Sequence, residues 1–334
     1  MEYVSLGRTG LKVSRLCLGC MNFGGRTSEE ESLQILRQAL DDGLIFWDTA
    51  NVYNKGRSEE IVGKALRLYG ARNQVILATK VTNKMGDGPN DRGSSRRHIM
   101  QQVDESLRRL GTDWIDLYQL HRPDFSTPLE ETVEALNDCV RAGKIRYWGT
   151  SVFPAWRMAE AWWRAELRGW AKPVCEQAPY NILDRRVENE RLPFLQEYGW
   201  GLIPWSPLAG GILTGKYPVD ALESPPPGTR LAEMALLRER ATRRGFEVAR
   251  EVAALAEAVG TNPIRFAIAW LLHRPGVTAP IIGPASLEQY REYVAALDVR
   301  IPDDAMRRVD ELVPPGSAVA DFHNNSGWYV GALL

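Results

Sequence analysis

Three chemically reactive side chains each follow an apolar, strand-like segment of the sequence: the carboxylate Asp48, the amine Lys80 and the imidazole His121. A phenol, Tyr53, lies five residues beyond Asp48, close enough for a short loop to bring it back over the other three. A free phenol has a pKa of about 10, but a neighbouring ammonium stabilises the phenolate and lowers that pKa. The sequence therefore predicts Tyr53 as a general acid tuned by Lys80, with Asp48 holding the ammonium in place.

The same side chains leave other chemistry open. A buried lysine can form a Schiff base, so a lyase or aldolase that uses Lys80 as nucleophile is an alternative. The stretch from Gly210 to Tyr217 fits the GxxxxGK pattern of a phosphate-binding loop, but Tyr217 stands where Ser or Thr would hold Mg²⁺. Cys17 and Cys20 form a CxxC without the further ligands of a zinc site. We therefore predict no metal site and interpret both cysteines as core residues.

The apolar segments that precede the reactive residues belong to a longer pattern. Strand-like apolar runs alternate along the chain with segments of helical period, as in a parallel sheet built from βα units. The pattern predicts eight strands, at residues 15–18, 44–47, 75–79, 115–120, 145–149, 174–177, 202–205 and 279–282. It predicts helices between them, at residues 28–42, 58–68, 94–110, 129–142, 154–168 and 191–198, and in a longer region at 245–273.

Eight strands alternating with helices predict an α/β fold of the (β/α)8 TIM barrel type, as a single domain over residues 1–334. The carboxyl ends of all barrel strands open on one face, so Asp48, Lys80 and His121 become neighbours there. The polar residues that end three later strands join them on that face: Ser151, Gln177 and Ser206.

The remaining length predicts three additions to the barrel. They are an N-terminal β-hairpin at residues 3–6 and 11–13, a loop insertion after strand 7 at residues 210–240, and an extra C-terminal helix at residues 303–313. The proline run at residues 225–227 disfavours a regular element in the insertion. An irregular C-terminal tail is predicted at residues 314–334.

Composition restricts the class of protein. The 334 residues are 44% hydrophobic and have a formal net charge of -1, which is typical of a globular chain and unlike a nucleic-acid-binding one. No stretch approaches the roughly 20 apolar residues that cross a bilayer, and the first residues lack the apolar core of a signal peptide. We expect a cytoplasmic protein with neither a nucleic-acid nor a membrane partner. The sequence leaves the oligomeric state open.

Short motifs around the reactive residues resemble those of the aldo-keto reductase family. The likeness of the reactive tetrad lies in Trp47-Asp48-Thr49-Ala50 with Tyr53, Ala78-Thr79-Lys80 and Leu120-His121-Arg122. Further segments resemble parts of the family that contact its cofactor: Gly149-Thr150-Ser151, Gln177-Ala178-Pro179-Tyr180-Asn181, Trp205-Ser206-Pro207-Leu208-Ala209-Gly210-Gly211, Gly215-Lys216-Tyr217 and Pro280-Ile281-Ile282-Gly283. The likeness extends in order from about residue 3 to residue 313.

The resemblance implies a nicotinamide cofactor across the barrel mouth, NADPH with NADH as a possibility, and the reduction of a small-molecule aldehyde or ketone to an alcohol. Tyr53 would protonate the carbonyl oxygen, and His121 would orient the carbonyl or share in proton delivery. Ser151 and Gln177 would hold the carboxamide, and Trp205 would stack on the nicotinamide. The full set of cofactor-binding residues implied in this way is Gly19, Cys20, Met21, Asp48, Ser151, Gln177, Trp205, Ser206, Pro207, Leu208, Gly210, Leu213, Gly215, Lys216, Gly283, Ala285, Ser286, Gln289, Glu292 and Tyr293.

Two departures from the family pattern affect cofactor binding. Val152 stands where many relatives have asparagine, so one hydrogen bond to the carboxamide is expected to be missing. No lysine or arginine is found at Gly283, Ala285 or Gln289, near the expected position of the 2′-phosphate. Ser286 and the helix that it begins can still bind a phosphate, so we expect a modest preference for NADPH over NADH.

A regulatory role is the alternative from another functional class. The resemblance includes cofactor-binding regulatory subunits of the potassium-channel β type, which turn over slowly and retain a tetrad. The substrate itself is open. Aromatic residues that could line an apolar pocket are Phe23, Phe125, Trp156, Phe322, Trp328 and Tyr329.

Overall fold

Ten β-strands and twelve α-helices follow one another in residues 1–323, the part of the chain that this computed structural model describes. The strands are β1 (Tyr3–Ser5), β2 (Lys12–Ser14), β3 (Cys17–Gly19), β4 (Phe46–Asp48), β5 (Ile76–Val81), β6 (Ile115–Leu120), β7 (Ile145–Ser151), β8 (Cys175–Gln177), β9 (Gly201–Leu202) and β10 (Ile281–Ile282). The helices are α1 (Glu29–Asp41), α2 (Arg57–Leu68), α3 (Arg96–Leu110), α4 (Leu129–Arg141), α5 (Ala155–Arg168), α6 (Arg191–Tyr198), α7 (Arg230–Glu233), α8 (Ala235–Arg240), α9 (Arg243–Ala258), α10 (Pro263–Leu272), α11 (Leu287–Val294) and α12 (Asp303–Leu312).

Strands β3 to β10 form one parallel sheet in the order β10-β3-β4-β5-β6-β7-β8-β9. Backbone hydrogen bonds link its two ends, because Thr278 N donates to Leu202 O at 2.9 Å and Ile281 N donates to Pro204 O at 2.7 Å. The eight parallel strands alternating with helices confirm the predicted (β/α)8 architecture. The carboxyl ends of the strands therefore share one face of the molecule.

The last two barrel strands are shorter than predicted. Residues 202–205 and 279–282 were expected to be strands, but β9 and β10 each contain only two residues. Pro204 and Pro280 lie within these segments and have no N–H to donate to a strand ladder. Trp205 N nevertheless donates to Ala178 O at 2.9 Å, so the chain remains hydrogen-bonded to the segment after β8 beyond the proline.

Two helical predictions are wrong in detail. The predicted region 245–273 is two helices, α9 and α10, separated by Gly260 with φ +75° and by Asn262, whose side chain accepts from Arg265 N. Such a glycine ends one helix, and asparagine followed by proline begins the next. The predicted loop insertion contains α7 and α8, which bury Leu231 and Leu237. The extra C-terminal helix, α12, is confirmed.

The N-terminal hairpin covers the amino end of the barrel. Val4 pairs with Val13 in antiparallel register, and Leu6 and Val13 are fully buried. They belong to one apolar cluster with residues of the barrel strands, which include Phe46, Ala78, Leu117, Cys175, Ile203 and Ala279. The hairpin thus forms the floor of the barrel interior.

Residues 314–323 follow α12 without helix or regular strand. Ala318 forms a single antiparallel bridge to Asp184, and Phe322 is fully buried. Of the aromatic residues expected in the tail, Trp328 and Tyr329 lie outside the described residues.

Candidate active site

Alternation along the barrel strands separates an apolar layer from a polar one. Side chains two residues apart on a strand point to the same side. The apolar floor therefore has polar or aromatic neighbours one step nearer the mouth: Asp48 after Phe46, Lys80 after Ala78, Gln119 after Leu117, Gln177 after Cys175 and Trp205 after Ile203. Four of the five are linked by hydrogen bonds: Asp48, Lys80, Gln119 and Gln177.

The Lys80 ammonium is the centre of this polar layer. Its Nζ donates to Asp48 Oδ2 at 2.5 Å, to Thr49 O at 2.8 Å and to the Tyr53 hydroxyl at 3.3 Å. Burial by itself lowers the pKa of Lys80, but Asp48 and Tyr53 together raise it above its ordinary value. Because Lys80 stays charged, it is a hydrogen-bond donor to Tyr53 and a poor nucleophile, which argues against the Schiff-base alternative.

The effect of this arrangement on Tyr53 differs from the sequence-based expectation. Lys80 does lower the pKa of the Tyr53 hydroxyl, but burial raises it by more, and the pKa lies above its ordinary value. The expected lowered pKa is therefore wrong for this structure, because removing the phenolate from water costs more than the single ammonium restores. Tyr53 is a neutral phenol at neutral pH, which is the form that can donate a proton.

His121 completes the group of four predicted residues. Its ring lies edge-on to that of Tyr53, with 5.5 Å between centroids. Burial, Arg122 and Lys80 hold the pKa of His121 well below its usual range, so the imidazole is neutral. Asn83 Nδ2 lies 3.0 Å from His121 Nδ1. The structure thus brings together all four residues that the sequence singled out.

Gln119 was missed by the sequence reasoning. Its Nε2 donates to Asp48 Oδ1 at 3.0 Å, and Gln177 Nε2 donates to the same oxygen at 3.0 Å and to Gln119 Oε1 at 3.2 Å. The two amides hold the Asp48 carboxylate that in turn holds Lys80. The signal was available, because Gln119 lies two residues beyond Leu117 on the same inward face of β6.

The loop after β7 presents Ser151 beside Gln177. These two residues pair in the sheet, and Ser151 Oγ donates to Gln177 O at 2.9 Å. Val152 follows with φ +61°, a left-handed conformation that β-branched residues rarely adopt. The buried Glu176 fixes this loop, because it accepts from Thr150 Oγ1 at 2.5 Å and from Phe153 N at 3.0 Å. Burial raises the pKa of Glu176 to about 7.

The segment after β9 is a succession of tight turns. Ser206 (φ +57°), Ala209 (φ +48°), Gly210, Gly211 and Gly215 all have left-handed backbone. The predicted cofactor residues on or next to these turns are Ser206, Pro207, Leu208, Gly210, Leu213, Gly215 and Lys216. At the start of the segment, the Arg240 guanidinium lies 5.5 Å from the centre of the half-buried Trp205 ring, and the Phe322 ring lies 6.5 Å from it.

The end of β10 faces the end of β3. A Cβ added to Gly19 would lie 2.6 Å from Ile281 Cγ2, so only glycine allows the two strands to approach. Cys20 is buried, and Met21 is exposed. At Gly283, in contrast, a Cβ would have no described atom within 4 Å, which leaves room beside the backbone for a ligand.

The helix N-terminus expected to bind a phosphate already has protein partners. Ser286 Oγ accepts from Gln289 N at 3.2 Å, Gln289 Oε1 accepts from Ala285 N at 2.9 Å, and Glu31 Oε1 accepts from Leu287 N at 2.6 Å. A carboxylate thus occupies part of the position predicted for the phosphate.

Two further predicted residues lie along α11. Glu292 forms an ion pair with Arg265, with 2.8 Å between Oε2 and Nη2, and also accepts from Asn262 Nδ2. Burial raises the pKa of Tyr293, and the charge of Arg230 opposes that rise.

Arg230 is a second residue that sequence reasoning missed. Its Nη2 donates to Asn22 Oδ1 at 3.2 Å, and Asn22 Nδ2 donates to Gly283 O at 3.1 Å, so the guanidinium is tied to the end of β10. Burial and the neighbouring charge of Arg26 lower the pKa of Arg230. It lies at the start of α7, in the segment predicted to be a surface loop, where no periodic pattern in the sequence distinguishes one arginine from another.

Residues 1–323 contain neither a cluster of three potential metal ligands nor a helix long and apolar enough to cross a membrane. Cys17 and Cys20 are both fully buried, as expected for core residues.

The mouth of this eight-stranded parallel barrel brings together an ammonium, a carboxylate, a phenol and a neutral imidazole. The chain belongs to the Aldo/keto reductase family, whose family model matches residues 15–314. It is therefore an oxidoreductase of that family.

The chain is similar to proteins described as oxidoreductases and as channel subunits. The chain is 43% identical to "Uncharacterized oxidoreductase YrpG" of Bacillus subtilis, over 97% of this chain and 99% of the relative. It is 41% identical to "Probable voltage-gated potassium channel subunit beta" of Arabidopsis thaliana, over 90% and 92%. It is 37% identical to "Versiconal hemiacetal acetate reductase" of Aspergillus parasiticus, over 94% and 98%.

Proposed function

We propose that this protein reduces the carbonyl group of a small aldehyde or ketone to an alcohol, with NADPH as the preferred cofactor and Tyr53 as general acid. One observation carries the proposal: the buried Lys80 ammonium donates to the Tyr53 hydroxyl oxygen at 3.3 Å. The hydroxyl oxygen accepts from Lys80, so its own proton is available for a substrate oxygen above the barrel mouth.

The residues of the mouth fit a nicotinamide dinucleotide. Gln177 Nε2 is used by Asp48 and Gln119, so its Oε1 is the atom left to accept from a carboxamide, next to the Ser151 hydroxyl. The half-buried Trp205 ring, which has the Arg240 guanidinium 5.5 Å from its centre, offers an aromatic surface, and Gly283 leaves room for the far end of the dinucleotide. When bound, the cofactor supplies the hydride that the carbonyl carbon accepts.

The chain's own residues move and hold the proton. Tyr53 donates it to the carbonyl oxygen as negative charge develops there, and Lys80 stabilises the phenolate that remains. Asp48, held by Gln119 and Gln177, keeps the ammonium in place. The neutral His121 ring, edge-on to Tyr53, provides a second hydrogen bond to the same oxygen.

Arg230 supports the choice of NADPH. The helix N-terminus after β10 already binds the Glu31 carboxylate, so it attracts a phosphate less strongly than the sequence suggested. Arg230, tied through Asn22 to Gly283, supplies a positive charge at this end of the site. A guanidinium is well suited to a phosphate because it can donate two parallel hydrogen bonds.

The proposal is tested by measuring turnover with NADPH and with NADH against a panel of aldehydes, ketones and sugars. Tyr53→Phe should lower turnover at least about a hundredfold, the low end for loss of a general acid, and should leave cofactor affinity nearly unchanged. Unchanged turnover in this variant would remove Tyr53 from the mechanism.

The regulatory alternative is a second candidate because a relative at 41% identity is described as a probable potassium channel subunit. A regulatory subunit of this kind would bind NADPH tightly and reduce every carbonyl on the panel slowly. Rapid multiple turnover on any of them would favour the enzyme.

A further inference from the structure

The loop after β5 presents an amide to the His121 ring. Asn83 Nδ2 lies 3.0 Å from His121 Nδ1, which is a hydrogen-bond distance. An amide nitrogen can only donate. A neutral imidazole has one nitrogen that donates and one that accepts. With the Asn83 Nδ2 turned toward the ring, Nδ1 accepts from Asn83 and the ring proton lies on Nε2.

We propose that Asn83 is a positioning residue that fixes the tautomer of His121, so that Nε2–H is always available as a donor to the substrate carbonyl oxygen. The inference rests on the proposed function for its consequence in catalysis, but the tautomer is a property of the protein alone. Without Asn83 the proton could lie on either nitrogen. Where it lay on Nδ1, Nε2 would present a lone pair that repels the carbonyl oxygen.

The backbone next to Asn83 indicates that its position is imposed by the fold. Thr82 has φ +120°, a conformation normally reserved for glycine. Thr82 O accepts from Gly93 N at 2.7 Å, which closes the loop. The Thr82 hydroxyl is buried, with no hydrogen-bond partner among the described residues. Both features are unfavourable locally, so the conformation of the residue next to Asn83 is imposed by its surroundings and not by local preference.

The tautomer can be measured directly by NMR. The chain has four histidines, and long-range ¹H–¹⁵N correlation separates protonated from unprotonated ring nitrogens. The His121 signals are identified by their loss in His121→Gln. In the wild type we expect one neutral tautomer, with the proton on Nε2. A proton on Nδ1 in the wild type, or an equal mixture, would overturn the proposal.

Two variants test the role of Asn83 itself. Asn83→Asp replaces the donor with an acceptor, so the proton should move to Nδ1; Asn83→Leu removes the donor and should give a mixture. Asn90→Asp is the matched control, because it makes the same exchange at an exposed position of the same loop and should leave the His121 spectrum unchanged. If Asn83→Leu keeps the pure Nε2 tautomer, Asn83 does not control it and the proposal fails.

Activity is a separate readout. Asn83→Asp should lower kcat about a hundredfold, the low end for loss of one donor to the developing oxyanion. Its affinity for NADPH, followed by tryptophan fluorescence, should stay unchanged. A wild type with the Nε2 tautomer but no turnover would refute the proposed function and leave the tautomer assignment standing. Full activity in an Asn83→Asp variant whose tautomer has switched would refute the catalytic role of Asn83.

Discussion

Replacing Lys80 with methionine separates the structural role of the polar layer from its chemical role. Methionine keeps a long unbranched side chain and removes the ammonium. Asp48, which is 3% exposed, would keep the two amide donors on Oδ1 but would lose its partner on Oδ2. Removing one member of a buried ion pair costs about 3–5 kcal/mol, because the remaining charge is left without compensation.

The cost converts into a measurable change in melting temperature. Unfolding of a chain of 334 residues has an entropy of about 0.7 kcal/mol/K near 60 °C. Lys80→Met should therefore lower Tm by roughly 4–7 °C. The double variant Asp48→Asn, Lys80→Met has no buried charge left at this site and should recover most of that loss.

Calorimetry of the two variants is combined with turnover assays. Both should be nearly inactive, because neither has an ammonium beside Tyr53, although only the single variant is strongly destabilised. A single variant as stable as the wild type, or a double variant no more stable than the single, would refute the view that Lys80 and Asp48 compensate one another.

Three further substitutions test other parts of the site. Burial raises the pKa of Glu176 from 4.5 to about 7, so the wild type loses stability as pH rises through that range. Glu176→Gln cannot ionise, so its free energy of unfolding, relative to that of the wild type, should rise by about 3 kcal/mol from pH 4.5 to pH 8 in urea titrations. A difference that stays constant with pH would contradict the raised pKa. Val152→Asn suits a left-handed backbone and adds an amide beside Ser151, so it should tighten NADPH and NADH equally, by about twofold to tenfold; an unequal effect would place residue 152 away from the nicotinamide. Arg230→Met should weaken NADPH about tenfold to a hundredfold and leave NADH nearly unchanged by fluorescence titration; equal weakening would exclude a contact with the 2′-phosphate.

The reactive group was predictable because it depends on strand ends. An apolar run followed by a polar residue marks the mouth of a barrel strand, and Asp48, Lys80 and His121 all follow that rule. Gln119 was missed because the predicted strand 115–120 includes it, whereas the predicted strand 75–79 ended just before Lys80; in the structure both residues are next to last in their strands, β6 and β5. The two-residue alternation from Leu117 was the available signal. Arg230 gave no such signal, because its position depends on how a proline-rich segment folds back over the end of β10.

The pKa of Tyr53 was less predictable than its position. The sequence identified the ammonium that lowers the pKa, but burial, which raises it, depends on the packing of many distant residues. The same holds for Val152 and Thr82, because positive φ values at β-branched residues contradict local preference and are imposed by tertiary contacts. The shortness of β9 and β10, in contrast, follows from the missing N–H groups of Pro204 and Pro280 and could have been predicted.

The hairpin at the barrel floor has a consequence for biosynthesis. Leu6 and Val13 leave the ribosome before any barrel strand, but they belong to one apolar cluster with residues as distant as Ala279. At about 5–20 residues per second, tens of seconds separate the synthesis of these two ends. During that interval the apolar cluster that buries Leu6 and Val13 is incomplete, and part of its surface is accessible to chaperones that bind nascent chains. Residues made first thus depend for their full burial on residues made last, which makes early release of an incomplete chain a route to aggregation.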